Sequence, residues 1–457
     1  MVIKTGKAVT NSFIVEAINK KLADNPRLNR LHDYYMGKHD ILLRHYDDPT
    51  KPNNRTVANY CRKIADFLTA FLVGVSIKYE APQQILDTLN FNDESEHTQE
   101  VVRNLNIFGM GAELHYTDTD GLPRFANIDP RESIFITDDT IEANLIAYIR
   151  FYPNADEPDL YNVILYDNDN YTEYRLSQAV SELTQLATTP HYYKDVPAVM
   201  YQNGKEMEGA FEGVIPLQNA LNTILSDETN DFEAFSDAIL VLTGLLQTKP
   251  EDIAKMKQDR VLLLDGETSA QWLIKNQNSQ HNKELKESFV SKIHELGCVP
   301  DVEKLGSIGS SGVALRYKLM HTEMYAAKQE RAIQRGLQRR IELLYNLLTI
   351  ADPDMGTFWD VGIEFERNYI MLSDDALNQK RLDLNLVENG LLSRETFLLQ
   401  HKGMTPEEAQ RELQRVALES YQGVYNAHHV SSFAPELIEK HIEDYQMYRE
   451  LERERMN

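Results

Sequence analysis

Four carboxylates, Asp227, Glu228, Asp231 and Glu233, stand within one short stretch of the 457-residue sequence. Asp227 and Asp231 are four apart, so a helix would set them one turn apart on the same face. Paired carboxylates are the groups that two-metal nucleases and glycosidases use. Those sites also draw on further carboxylates, a His or a Lys from other elements, and from Glu206 through Thr248 there is neither Lys nor Arg. The cluster alone does not supply a catalytic constellation. It reads either as a solvated helix face or as a surface that repels phosphate.

The remaining candidates are weaker. Leu305 to Gly312 (LGSIGSSG) contains Gly306, Ser307, Ile308, Gly309, Ser310, Ser311 and Gly312. Glycines ahead of a helix can present N–H groups to an anion. This run lacks the Gly-Lys-Ser/Thr of a phosphate loop, and its glycine spacing is not the dinucleotide fingerprint; it reads as a connecting loop with wide backbone freedom. His32 with His39, and His428 with His429, lack the spacing of a metal site and read as surface histidines. Asp167 to Asn170 (DNDN) begins like a calcium loop but has no Gly at the sixth position and no Glu at the twelfth, so it reads as a turn. Cys61 and Cys298 read as buried free thiols. The expectation is a protein with no catalytic residue, no cofactor and no metal.

The elements around these residues follow from periodicity. Asn11 to Gly37 reads as two short helices divided at Asn25-Pro26, and Val57 to Val75 as a third, with Ile64, Leu68, Phe71 and Leu72 on one face. The period changes near Gly109. Ala112, Leu114 and Tyr116 alternate with polar residues up to an Asp120-Gly121 turn, predicting a β-hairpin that returns through Ile128. Strands are expected at Ser133–Ile136, Leu145–Tyr152, Tyr161–Tyr166 and Tyr171–Leu176.

Pro216 to Ala238 predicts a helix with Leu217, Leu221, Ile224, Leu225, Phe232 and Phe235 in one apolar stripe; Asn222, Ser226, Asp227, Asn230 and Glu233 lie on its open side. A β-α-β-β insert follows, with strands at Ile239–Leu242, Val261–Leu264 and Gln271–Ile274 and a helix at Pro250–Gln258. Asn282 to Leu296 reads as the next helix, with Leu285, Phe289, Ile293 and Leu296 on one side. Val313 to Ala351 has no Pro and only Gly336, so it predicts a helix about 58 Å long. Arg316, Lys318, Lys328, Arg331, Arg335, Arg339 and Arg340 outnumber its acids. From Ser373 the chain reads as helical again, with Ser393 and Thr405 as caps and a last helix over Glu436–Arg455. The fold class is α+β, mostly helical.

At 42% hydrophobic the chain is long enough for roughly three domains. No run reaches the ~20 apolar residues of a membrane span, and the first residues lack a secretory core, so the expectation is a soluble protein made in a cytoplasm. Acids outnumber bases 71 to 47, a formal net charge of −24. That balance argues against a protein that grips nucleic acid through phosphates, though not against a surface that DNA slides past.

Several segments, in order, resemble the portal family of tailed bacteriophages, and within it the siphophage branch infecting Gram-positive bacteria. They are Tyr34–Ile41 (YYMGKHDI), Asn53–Tyr60 running on to Gly74–Ile77, Phe108–Ala112 followed by Asp120-Gly121 and Ile128-Asp129-Pro130, Asp231–Ala238, and Ser310–Leu315. The resemblance implies a homo-oligomeric ring of about twelve subunits at one capsid vertex, through which double-stranded DNA is packaged and ejected. On this sequence it implies a wing over 1–215, a first stem helix over 216–238, a clip over 239–281 and a second stem helix over 282–304. A tunnel loop over 305–312, a long wing helix and return strand over 313–372 and a crown over 373–457 complete it.

By the same resemblance Asp227, Glu228, Asp231 and Glu233 face the channel. Glu251, Asp252, Lys255 and Lys257 of the clip helix dock the motor or adaptor. The implied partners are the large terminase subunit, a head-completion or adaptor protein, the major capsid and scaffolding proteins, and DNA in transit without sequence specificity. No membrane is involved; the implied location is the virion, with assembly in the host cytoplasm. An enzymatic component of the packaging machinery, nuclease or motor, and a shell or scaffold protein are the alternatives.

Overall fold

The computed structural model describes residues 1–48, 51–157, 159–177, 182–235, 239–243, 269–273, 279–301, 312–350, 352–353, 361–367, 373–402, 404–405 and 408–416. The chain divides into two compact units, Met1–Tyr369 and Ile370–Asn457.

The first unit opens with β1 (Val2–Lys4) and α1 (Asn11–Tyr35). Thr10 caps α1 by accepting the Phe13 N–H, and Gly37, at φ +81°, follows its end. Contrary to the two helices expected, α1 runs unbroken through Pro26. Proline removes one helical hydrogen bond, but Ile14, Ala17, Ile18, Leu28, Leu31 and Tyr34 form one continuous buried face. Burial of that face outweighs the lost bond.

Next, α2 (Tyr60–Val73) is capped by Asn59, whose side chain accepts the Arg62 N–H. Then come β2 (Lys78–Glu80), α3 (Gln83–Phe91), α4 (Glu94–Phe108), and the expected hairpin of β3 (Met110–Thr117) and β4 (Pro123–Ile128). Asp118 Oδ1 accepts the N–H groups of Asp120 and Leu122 and so closes the turn. The alternation expected in β3 is not what is found. Tyr116 is 44% exposed, whereas Glu113 and His115 are buried. β3 is the central strand between β4 and β10 (Ala198–Gln202), and both its faces are packed: Ala112 and Leu114 enter the main core, while on the other face Glu113 meets Arg340 and His97.

Strands β5 (Ser133–Thr137), β6 (Leu145–Pro153), β7 (Leu160–Tyr166), β8 (Asn170–Ser177) and β9 (Glu182–Pro190) form a sheet of order β1-β5-β6-β7-β8-β9. The β1–β5 pair is parallel and the others antiparallel. Ile134, Ile136, Ala147, Ile149 and Val163 pack on the first half of α1. Asp167 Oδ1 accepts the N–H groups of Asp169 and Asn170, so the DNDN segment is the expected turn.

After a 3-10 turn the chain forms α5 (Ile215–Phe235), β11 (Ile239–Thr243), β12 (Ser269–Leu273) and α6 (Ser279–Leu296). β11 and β12 pair antiparallel. The helix expected at 250–258 and the strand at 261–264 lie outside the described residues. Of the face expected on α6, Ile293 is fully buried but Leu296 is 59% exposed, because the helix ends there at Gly297. α7 (Gly312–Leu348) is the long helix, 37 residues and about 55 Å. It buries Leu319, Ala326, Ile333, Leu337, Ile341 and Leu344. The stretch expected as a loop before it lies outside the described residues except for Gly312. β13 (Gly362–Glu364) pairs with β2.

In the second unit, α8 (Ser373–Glu388) and α9 (Arg394–Lys402) are joined by a turn. Ser393 Oγ accepts the Thr396 N–H at 3.0 Å. Thr405 and Glu408 bond reciprocally, each side chain to the other's N–H, a capping box. The helix expected over 436–455 lies outside the described residues.

Candidate functional site

The acid-bearing helix α5 is held by an extended segment, Asn54 to Tyr60, laid along it. The N–H groups of Asn54, Thr56, Ala58 and Tyr60 donate to side-chain oxygens of Asn230, Ser226, Asn222 and Gln218, at 2.6, 2.9, 3.1 and 3.1 Å. Two residues of extended chain advance about 6.6 Å, and four residues of helix advance about 6 Å. The two repeats therefore stay in step over four contacts. Gln218 Nε2 also donates to the Ala58 carbonyl at 2.6 Å. Asn222 Nδ2 donates to His39 Nδ1 at 2.8 Å, while His39 Nε2 donates to the Tyr34 carbonyl at 3.0 Å. His39, expected at the surface, is instead buried because both ring nitrogens find partners inside the fold, and burial lowers its pKa, in keeping with this neutral ring.

The amphipathic reading of α5 is thereby corrected. Asn222 and Ser226, expected on the open side, are fully buried, and Phe232, expected in the apolar stripe, is 82% exposed. Helical periodicity sorts residues by polarity, but here the buried face is polar because it must satisfy a strand's backbone.

The structure gives these acids partners of their own. Asp227 pairs with Arg44 at 2.7 Å, Glu228 with Lys286 of α6 at 2.6 Å, and Glu233 accepts from Asn54 Nδ2 at 2.6 Å. Asp231 is partly buried. Arg44 also donates to Asn53 Oδ1 and to the Asn54 carbonyl. One guanidinium thus staples the start of the extended segment to the helix. Leu221 of α5 and Ile293 of α6 enter the main core together, so the two helices are fixed against each other and against the rest of that core. Glu251, Asp252, Lys255 and Lys257, and the loop from Gly306 to Ser311, lie outside the described residues.

Sequence reasoning missed a second constellation. Arg340 of α7 is fully buried and donates to Glu113 of β3 at 2.6 Å, and to Glu94 and Thr98 of α4, each at 2.9 Å. His97 and His115 both bond the Glu113 carboxylate at 2.9 Å, and Tyr201 donates to it at 3.1 Å. Tyr79 donates to Glu94 at 2.6 Å. Burial alone would raise the Glu113 carboxyl; the Arg340 charge, with His115 and His97 donating, holds it well below the usual carboxylate range. Burial lowers the His115 pKa, with Glu113 opposing. This network joins β2, α4, β3, β10 and α7, and its Tyr79–Glu94 edge lines a surface cavity with Ser76, Leu89 and Asn90. The alternation of β3 concealed it, since Glu113 and His115 occupy positions that a two-faced strand would expose.

Among the described residues no group of three or more His, Cys, Asp or Glu is arranged to hold a metal ion. No described helix is long and apolar enough to cross a membrane. Both cysteines are free; Cys61 is buried as expected, and Cys298 is partly exposed.

Comparison with known proteins bears on this arrangement. The family model described as "Phage portal protein, SPP1 Gp6-like" matches residues 16–422. No curated protein matches. Among solved structures, the chain is similar to one from the neck of an empty gene transfer agent particle computed with C6 symmetry (13% identity, 76% of this chain and 89% of that chain, TM-score 0.43). It is also similar to one from the neck of a native particle computed with C12 symmetry (12% identity, 75% and 89%, TM-score 0.44). The family match takes in both helices of the acidic pair, the extended segment bound to them and the whole of α7, and on that match the chain belongs to the phage portal proteins of the SPP1 Gp6-like family.

Proposed function

We propose that this portal protein works as one subunit of a ring of about twelve, set at one capsid vertex of a siphophage infecting Gram-positive bacteria. Double-stranded DNA passes through the ring during packaging and again during ejection. In this reading α5 and α6 form the stem, β11, β12 and the residues between them the clip, residues 305–312 the tunnel loop, α7 the long wing helix and residues 373–457 the crown. The clip helix with Glu251, Asp252, Lys255 and Lys257 meets the large terminase subunit and later the head-completion protein. The wing meets capsid and scaffolding proteins. Assembly takes place in the host cytoplasm, and the ring does no covalent chemistry.

The observation that carries this reading is the family match over residues 16–422. The physical rationale is the base-free run from Glu206 to Thr248, since a helix whose acids outnumber the Arg44 and Lys286 that pair with it offers passing phosphates no deep electrostatic well. The arrangement also supports a load-bearing conduit: α5 is fixed by a strand, a guanidinium and a neighbouring helix. Heterologous contacts are needed to close such a ring. Native mass spectrometry and negative-stain images of the purified protein test it. Rings of about twelve subunits with a central hole support the reading; a compact monomer with ATPase or nuclease activity overturns it.

A further inference from the structure

The long helix carries a ridge of cations that its own subunit leaves uncompensated. Positions 321, 324, 328, 331, 335 and 338 of α7 are all exposed, and their alternating spacings of three and four place them on one stripe about 26 Å long. Lys328, Arg331 and Arg335 lie at its centre. Every acid on the described part of the helix is already engaged: Glu323 and Glu330 by Arg367, and Glu342 by Arg339. Lys328, Arg331 and Arg335 have no ion-pair partner among the described residues. In a chain with 24 more acids than bases, three aligned cations outside any ion pair among the described residues stand out, although Glu206 Oε2 and Lys328 Nζ both approach Gly204.

We propose that this ridge is an interface for the acidic surface of a second copy of the chain, and so one of the contacts that close the ring; the inference rests on the ring reading above. Three observations select this occupant. First, any copy presents an excess of acid, and complementary charge favours contact over self-repulsion. Second, Met324 is 66% exposed on the same stripe, with Met320 beside it at 46%. Exposed methionine together with arginine is interface composition, which a site for phosphate alone does not need. Third, Lys328 and Arg335 stand about 24 and 35 Å along the helix from Gly312, away from the end of α7 that the ring reading assigns to the DNA. Buried Arg340 takes no part: it anchors the opposite face of α7 and fixes the direction in which the ridge points.

The test uses the full-length protein and a Lys328→Glu/Arg331→Glu/Arg335→Glu variant, compared by native mass spectrometry and sedimentation over a range of salt. The wild-type ring should loosen as salt rises. The variant should lose ring relative to free subunit by roughly tenfold at low salt, the compounded effect of three exposed ion pairs, with unchanged helix content and melting. A second variant, Arg331→Lys/Arg335→Lys, should keep the ring, which separates charge from fold. If wild type forms rings and the charge-reversed protein forms them equally well, with the same salt response, the interface is wrong while the ring reading stands. If the reversed variant assembles normally but retains less DNA, the ridge serves nucleic acid and the proposal falls. Absence of rings from the wild type removes both readings.

Discussion

The N–H of Ala58 donates to Oδ1 of Asn222, 164 residues away, at 3.1 Å, and the same oxygen accepts from Gln218 Nε2 at 2.9 Å. This one amide joins the extended segment, α5 and His39. Asn222→Ala leaves a strand N–H, the Gln218 amide and a buried imidazole short of partners. Stability should fall by about 1–3 kcal/mol, read from urea unfolding midpoints. Ser226→Ala, which removes the bond from the Thr56 N–H and the one its hydroxyl donates to the Asn222 carbonyl, should cost about 1 kcal/mol. Equal losses from the two would mean that Asn222 is not the centre of the junction.

Arg340→Met leaves Glu113 buried without its counter-charge. The expected loss is about 3–5 kcal/mol, the range for breaking one side of a buried pair. Adding Glu113→Gln to that variant should recover much of it. Arg340→Lys should not restore the wild-type value, because one ammonium cannot reach Glu113, Glu94 and Thr98 together. Unfolding curves of the four proteins make the comparison, and additive losses in the double variant would dissolve the proposed coupling.

The same network sets a pH response. Glu113 lies below its unfolded value, so its contribution is complete above about pH 4.3 and is lost as the pH falls through the folded value. His115 and His39 are lowered by burial and held neutral, so each withdraws stability as the pH falls below about 6.5. Unfolding midpoints should therefore decline in two stages on acidification. Glu113→Gln should weaken the lower stage, to which the depressed Asp129 and Asp40 also contribute, and His39→Gln with His115→Gln should weaken the upper one. A flat profile between about pH 7 and 5 would contradict the neutral assignment of both rings.

Gly336 marks where α7 crosses β10. A Cβ there would come within 2.2 Å of Tyr201 Cε1, and that ring is fully buried with its hydroxyl on Glu113. In an exposed helix Gly→Ala gains up to about 1 kcal/mol. Here Gly336→Ala should instead destabilise by about 1–3 kcal/mol, measured by thermal unfolding. A gain in stability would show that the helix can lift away from the strand at little cost.

Replacing Asp227, Asp231 and Glu233 with Lys should leave rings assembled and slow packaging, as measured by the rate of DNA protection in an in vitro packaging reaction. Asp227→Lys also sets two cations side by side at Arg44, so Asp227→Asn serves as the control for the lost Arg44 pair. Unchanged packaging in the triple variant would make the run a solvated or intersubunit face.

Much was legible in the chain itself. Local chemistry placed the end of α2 at Gly74, the Asp120-Gly121 hairpin, the Asp167 turn, the Ser393 cap and the long uninterrupted helix, because caps, turns and helical runs depend on residues close in sequence. The acidic run and the missing phosphate-loop lysine were equally plain. Two helices were expected where α1 is one, since proline's local penalty can be read from sequence and the distant face that overrides it cannot.

What only tertiary structure decided was which polar residues are inside. Asn222, Ser226, Glu113 and Arg340 carry no local sign of burial; each is buried because a partner more than 150 residues away meets its hydrogen-bonding capacity. A pattern of polar and apolar residues reports only that a side chain prefers water to hydrocarbon. It cannot report that another part of the chain will supply the hydrogen bonds water would have made, and at α5 and at Arg340 that is what the fold supplies.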